Sequence, residues 1–145
     1  MQKLAARVES VDSMLCVGLD SALARIPEPF ASGVAPQLAF NRWLIDQTHP
    51  FVAAYKPNMA FYEARGAAGW HELAETLAYI REVDPAIFTI CDAKRADIDS
   101  TNAGYVAGLL DGLGFDAITL HPYLGSEALR PFLERDDKAA IVLCR

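Results

Sequence analysis

Cysteine is scarce in this sequence: three in 145 residues, at Cys16, Cys91 and Cys144. An odd, widely separated set, each member inside an apolar run, excludes a disulfide framework and a zinc knuckle and leaves buried thiols as the expectation. Basic residues are outnumbered, 13 Lys+Arg against 19 Asp+Glu for a formal net charge of -6. No basic stripe exists to neutralise a phosphate backbone, so nucleic acid is not an expected partner. Long apolar runs are also lacking. Nothing approaches the roughly 18 uninterrupted apolar residues of a membrane span, and Lys3, Arg7, Glu9 and Asp12 stand where a secretory signal would be apolar. The expectation is a cytoplasmic chain with no membrane partner. His49, His71 and His121 include no pair with ligand spacing on one helix face, so no metal site is expected. The glycines at 66, 69, 104, 108, 112 and 114 form no G-x-G-x-x-G after a strand, which removes a dinucleotide fingerprint.

What is present is the material of a folded core: 52% hydrophobic and 22% charged residues, in the soluble globular range. Five short runs rich in Val, Ile, Leu and Phe recur, at Leu15 to Leu19, Phe51 to Tyr55, Ile87 to Cys91, Ala117 to Leu120 and Ala140 to Cys144. Near-continuous apolar runs suit strands buried on both faces, as in a parallel sheet. Helical spacing fills the gaps. Trp70, Leu73, Leu77 and Ile80 form the clearest stripe, with Glu72, Glu75, Arg81 and Glu82 among them; Val106, Leu109, Leu110, Leu113 and then Leu129, Phe132, Leu133 form weaker ones. Leu4, Val8 and Val11 suggest a leading amphipathic helix. Asp99 or Ser100 is expected to cap one helix and Ser126 another.

Strand and helix alternating with short connections imply right-handed parallel crossovers and an α/β fold. The residues after each run are polar: Asp20, Lys56, Asp92 with Lys94, His121 and Arg145. In a (β/α)8 TIM barrel such strand ends converge on one mouth, whereas an open sheet gathers them only at a switch point. The barrel is the favoured expectation. Because a barrel usually needs about 200 to 250 residues, residues 1–145 are expected to be the N-terminal portion of a single TIM-barrel domain, its first five strands, with the C-terminal strands missing.

The densest chemistry lies in Asp92-Ala93-Lys94-Arg95-Ala96-Asp97-Ile98-Asp99-Ser100-Thr101. Residues two apart in an extended chain share a face about 6 to 7 Å apart, so Asp92 and Lys94 can point together. Asp97 follows just beyond, and Lys56 leaves the neighbouring strand at the same level. Four charges of alternating sign can then meet. The alternative is an ion-pair network in which Asp97 and Asp99 merely cap a helix. His121 reads either as a structural residue beside Pro122 or as a lining residue. Phe51, Tyr55, Phe61 and Tyr62 read as core or subunit packing rather than a pocket floor.

The run D-x-K-x-x-D-I-x-x-T, here Asp92, Lys94, Asp97, Ile98 and Thr101, resembles the signature of the orotidine 5'-phosphate decarboxylase family. Tyr55-Lys56-Pro57-Asn58, Phe61-Tyr62-Glu63, His121-Pro122-Tyr123-Leu124-Gly125 and Pro131-Phe132-Leu133 resemble its longer bacterial branch, in matching order from about Gly18 to Arg145. Two positions depart from the pattern: Ala96 and Asp99 stand where glycine is usual.

The resemblance implies decarboxylation of orotidine 5'-phosphate to UMP in pyrimidine biosynthesis, without metal or other cofactor. It further implies that Asp20 holds the ribose hydroxyls and Lys56 bridges ribose and charged array. Asp92 would face the substrate carboxylate and Lys94 would deliver a proton to C6. Ile98 would lie at the substrate, while Asp97 and Thr101 reach into the neighbouring subunit's site, so a homodimer with shared active sites is implied. Two other readings compete. One is a magnesium-dependent sugar-phosphate decarboxylase or synthase of the same barrel group, which would need a carboxylate where Lys56 stands. The other is a half barrel that is inactive as it stands.

Overall fold

The computed structural model describes residues 1–144, and Asp99 by its backbone. The chain divides into two compact units, Gln2–Phe88 and a second that begins at Thr89. In the first unit β1 and β2 pair in parallel, and in the second β4 lies between β3 and β5, paired in parallel with both. That is the α/β class expected from the sequence. No helix among the described residues is long and apolar enough to cross a membrane.

In the first unit, helix α1 (Gln2–Val11) leads into β1 (Cys16–Gly18), which pairs with β2 (Ala54–Lys56) in the register Cys16 to Ala54, Val17 to Tyr55 and Gly18 to Lys56. The leading helix turns one buried residue inward, and it is Arg7 rather than the apolar stripe; Leu4, Val8 and Val11 are half-buried. A buried guanidinium needs full pairing. It donates to the Val52 carbonyl at 3.0 Å, to the His49 carbonyl at 2.5 Å and to Asp84 at 2.6 Å.

Helix α2 (Pro36–Thr48) and helix α4 (Ala67–Val83) pack together, with the short helix α3 (Ala60–Glu63) between them in sequence. Ile45, Leu73, Leu77 and Ile80 are wholly buried, as the helical spacing requires. Trp70 departs from that stripe at 39% exposure, and Glu72, read from sequence among the polar positions, is buried instead. The reason is tertiary. The first turn of α2 has no side-chain cap of its own, and the Glu72 carboxylate accepts the Leu38 amide at 2.8 Å while pairing with Arg65. An anion on the free amides of a helix start is favoured by both hydrogen bonding and the helix dipole.

The second unit holds most of β3 (Phe88–Arg95), helix α5 (Asp99–Tyr105), a π-helical segment Val106–Gly112, β4 (Ala117–Leu120), helix α6 (Gly125–Leu133) and β5 (Ala139–Val142). Phe88, the one residue of β3 that belongs to the first unit, donates to the Ala53 carbonyl at 3.2 Å. Leu109, Leu110, Phe115, Ile118, Leu120, Leu129 and Phe132 are buried. Leu133 is exposed despite its place in the apolar stripe.

Four expectations are corrected. Strands buried on both faces describe β2, β3 and β4, but β1 and β5 are largely open. Cys16 and Cys144 are accordingly exposed, and only Cys91 is buried among the described thiols. The expected caps also fail. Ile98 and Leu124 occupy the N-cap positions without side-chain caps, so Asp99 and Ser100 lie in the first turn of α5, and Ser126 in that of α6. Finally, the third strand does not end at Cys91: Asp92 and Lys94 lie inside β3. Arg145, expected to deliver the last polar strand end, lies outside the described residues.

Candidate functional site

Around Asp92 and Lys94 the β3–β4 ladder loses its regular pairing. Cys91 faces Ile118 and Arg95 faces Leu120, so three residues of β3 stand against Thr119 alone. Surplus residues form a bulge, a device that re-aims side chains. Lys94 takes φ +50°, and Ala96, two residues on, takes φ +151°. The two residues therefore do not meet by the simple period of two expected of an extended chain. They meet across the bulge: Lys94 Nζ lies 2.5 Å from Asp92 Oδ1. Asp92 is nearly buried, whereas the Lys94 side chain is 49% exposed.

The residue that fills the bulge was not singled out in the sequence. Thr119 Oγ1 accepts the amides of Ala93 at 3.0 Å and Lys94 at 2.9 Å, and donates to Asp92 Oδ1 at 3.0 Å. The available signal was a hydroxyl in the otherwise apolar run Ala117-Ile118-Thr119-Leu120.

Asp97 lies beyond the strand, where Asn102 holds the loop by both ends of its amide. The Asp97 amide donates to Asn102 Oδ1 at 2.7 Å, and Asn102 Nδ2 donates to the carbonyls of Asp97 at 2.5 Å and Ala128 at 2.8 Å. Asn102 is wholly buried and was likewise missed. The Asp97 carboxylate accepts the amide of Ile98 at 2.8 Å. Ile98 is 65% exposed, and Thr101 is half-buried, its amide bonded to the Ile98 carbonyl at 2.9 Å. His121 is half-buried. Its amide donates to the Arg95 carbonyl at 3.0 Å, and its Nδ1 is buried without a partner among the described residues.

Asp20 and Lys56 belong to the first unit. Lys56 closes β2 opposite Gly18, and its carbonyl accepts the Leu19 amide at 3.2 Å, which draws the start of the Asp20 loop to the strand end. Two buried side chains hold that loop from beneath. Tyr62 donates its hydroxyl to the Leu19 carbonyl, and Gln37 donates to the Ser21 carbonyl at 3.4 Å. Asn41 in turn donates to Tyr62 at 2.9 Å and to Thr76 at 3.1 Å. Both charges register at Cys16: desolvation pushes its thiol up, Lys56 opposes the shift and Asp20 adds to it. Tyr55 and Tyr62 lie in the core as read from sequence, while Phe51 is exposed. Phe61 lines a cleft of about 410 Å³ with Ala22, Leu23 and Arg65.

In the first unit Lys56 closes β2 and Asp20 lies just beyond β1; in the second, Asp92 and Lys94 lie in the last half of β3 and Asp97 just beyond it, and polar residues toward the carboxyl ends of parallel strands are the layout of barrel-type α/β proteins. Comparison with known proteins narrows that class. A family model described as orotidine 5'-phosphate decarboxylase / HUMPS family matches residues 13–144, and the chain belongs to that family. It is 50% identical over all 145 residues to an orotidine 5'-phosphate decarboxylase of Herpetosiphon aurantiacus, of which it spans 53%. It is 49% identical over 144 residues, or 99% of its length, to that of Halorubrum lacusprofundi, spanning 50% of that relative. Among solved structures it superposes on a Leishmania donovani OMP decarboxylase with a TM-score of 0.84 and 38% identity, covering 99% of this chain and 52% of that one. The chain spans about half the length of the relatives it matches.

Proposed function

We propose that these residues carry the charged centre of a cofactor-free decarboxylation of orotidine 5'-phosphate to UMP. The observation that carries it is the Asp92–Lys94 pair, a nearly buried carboxylate and a partly exposed ammonium held on one bulged strand. In this reading Lys56, Asp92, Lys94 and Asp97 alternate in sign around the substrate, with Asp97 and Thr101 entering from the second subunit of a cytoplasmic homodimer. Asp20 holds the ribose hydroxyls and Ile98 lies against the substrate.

The step breaks the bond from C6 to the carboxyl carbon, releases carbon dioxide and forms a C–H bond with a proton from Lys94 Nζ. Two unit charges 4 Å apart interact by about 4 kcal/mol at an effective dielectric near 20. Repulsion of that size between Asp92 and the departing carboxylate, if it vanished at the transition state, would amount to about a thousandfold in rate. Lys94 relieves part of that repulsion in the ground state. Its larger role is the direct one, a fixed ammonium facing the charge that develops at C6.

Lys56 separates this reading from a magnesium-dependent sugar-phosphate decarboxylase or synthase, because a lysine repels the ion a carboxylate would hold. The names of the relatives favour the decarboxylase. A second reading concerns the chain by itself. Barrels commonly grip phosphate with loops after strands seven and eight, and the described residues supply five strands. The 145-residue chain alone is then expected to turn over orotidine 5'-phosphate negligibly, and activity equal to that of a relative would overturn this reading.

The decisive experiment grafts residues 13–144 into the matching segment of the Herpetosiphon relative and measures conversion of orotidine 5'-phosphate to UMP in the presence of a chelator. The chimera is expected to be active, and Lys94→Ala in it to lose at least about a thousandfold. Substantial retained turnover in Lys94→Ala would remove Lys94 from the mechanism.

A further inference from the structure

We infer that Thr119 is a positioning residue for the Asp92–Lys94 pair, a single hydroxyl that sets both the carboxylate and the bulged backbone carrying the ammonium. The inference rests on the functional reading above for its catalytic consequence, but not for its geometry.

Thr119 sits in β4, whose four residues are all buried. A hydroxyl there is costly unless bonded, and a threonine hydroxyl offers one donor and two acceptor sites. All three are used on β3. The acceptor sites take the amides of Ala93 and Lys94, and the donor goes to Asp92 Oδ1 at 3.0 Å in preference to the Cys91 carbonyl at 3.5 Å. The same Oδ1 receives Lys94 Nζ. One carboxylate oxygen is therefore held by a fixed neutral donor on one side and by the ammonium on the other.

The bulge explains why a side chain is needed at all. Between the pairs Cys91–Ile118 and Arg95–Leu120 the parallel ladder has two surplus residues on β3, and buried amides need a partner from outside the backbone ladder. Thr119 supplies it at the point where Lys94 adopts φ +50°. A non-glycine residue in that region is strained and persists only where its surroundings impose it. The two amide bonds to Thr119 are such an imposition. Removing the hydroxyl frees Lys94 to relax toward φ below zero, which swings its side chain away from Asp92.

The test has two arms. In this chain, the Ala93 and Lys94 amides are expected to exchange with solvent as slowly as the amides of β4. Thr119→Val, which keeps the shape, is expected to speed both by at least about tenfold while the amides of Ile118 and Leu120 stay unchanged, and Thr119→Ser to restore protection. Fast exchange of Ala93 and Lys94 in the unaltered chain overturns the inference even if Thr119→Val fails to fold. So does unchanged exchange in a folded Thr119→Val protein.

In the grafted enzyme, Thr119→Val is expected to lower kcat about 10- to 100-fold, the size typical of outer partners of a reacting group, with KM within about threefold and recovery in Thr119→Ser. Native kcat in Thr119→Val overturns the positioning role. An inactive graft with Thr119 intact, together with slow Ala93 and Lys94 exchange, instead overturns the decarboxylase reading and leaves the geometric role of Thr119 standing.

Discussion

The carboxylate of Asp20 occupies the space a side chain on Gly18 would take: a β-carbon built at Gly18 overlaps Asp20 Oδ1. Glycine at the end of β1 thus lets the Asp20 side chain fold back over the strand. The obstacle is the tip of a side chain rather than backbone, so Gly18→Ala is expected to shift stability by less than about 1 kcal/mol while displacing the carboxylate. On the proposed function, its effect is selective for the sugar. In the grafted enzyme, calorimetry should show UMP losing its affinity advantage over the 2'-deoxy nucleotide. An unchanged ratio would detach Asp20 from the ribose.

Ala96 holds φ +151°, a conformation L side chains rarely adopt. Such strain costs of order 1–3 kcal/mol, and glycine returns about 0.5–1 kcal/mol of that through its greater freedom when unfolded. Ala96→Gly is therefore expected to stabilise the chain by about 1 kcal/mol, measured as a rise in the urea midpoint at constant slope. A fall would show that the Ala96 methyl contributes more by packing than its backbone costs.

Tyr62 links Asn41 to the Leu19 carbonyl in a buried network. Tyr62→Phe strips the partner from the Leu19 carbonyl and one acceptor from the Asn41 amide. Leaving buried polar groups unmade costs about 1–3 kcal/mol, so that loss is expected in urea unfolding. A change below about 0.5 kcal/mol would place water in the gap.

Burial pushes the phenols of Tyr55 and Tyr62 up, against the hydrogen bonds from Thr48 and Asn41 that pull them down. Folded-state values above the unfolded value of about 10 mean that the unfolded chain releases protons first. The stability tied to these neutral phenols is fully present below that pH and is lost as pH rises beyond it. Unfolding free energy should fall with a steep slope above about pH 10, and Tyr55→Phe should make the slope shallower. A slope unchanged in that variant would assign the alkaline loss to other groups.

The charged run and the α/β class were readable because both are local. Asp92, Lys94, Asp97, Ile98 and Thr101 stand in one continuous stretch, and apolar runs of four or five residues recur along the chain with helical spacing between them. Charge and periodicity are properties of the chain as written. Cap positions failed because Ile98 and Leu124, with no capping side chain, still start helices: one start is stabilised by Asn102 reaching back to Asp97, a contact that follows from folding rather than from the local preference for Ser or Asp.

Three features existed only in three dimensions. The inward turn of Arg7 needed carbonyls at His49 and Val52 and a carboxylate at Asp84 to meet it. Burial of Glu72 needed the uncapped first turn of α2. The left-handed turn at Lys94 needed a hydroxyl 25 residues away in β4. In each case a polar group enters the interior because a distant segment supplies its partner, and hydrogen-bond pairing across long separations leaves no periodic trace in sequence. The sequence by itself determined which charges this protein has and that parallel strands would carry them; tertiary structure decided where those charges point.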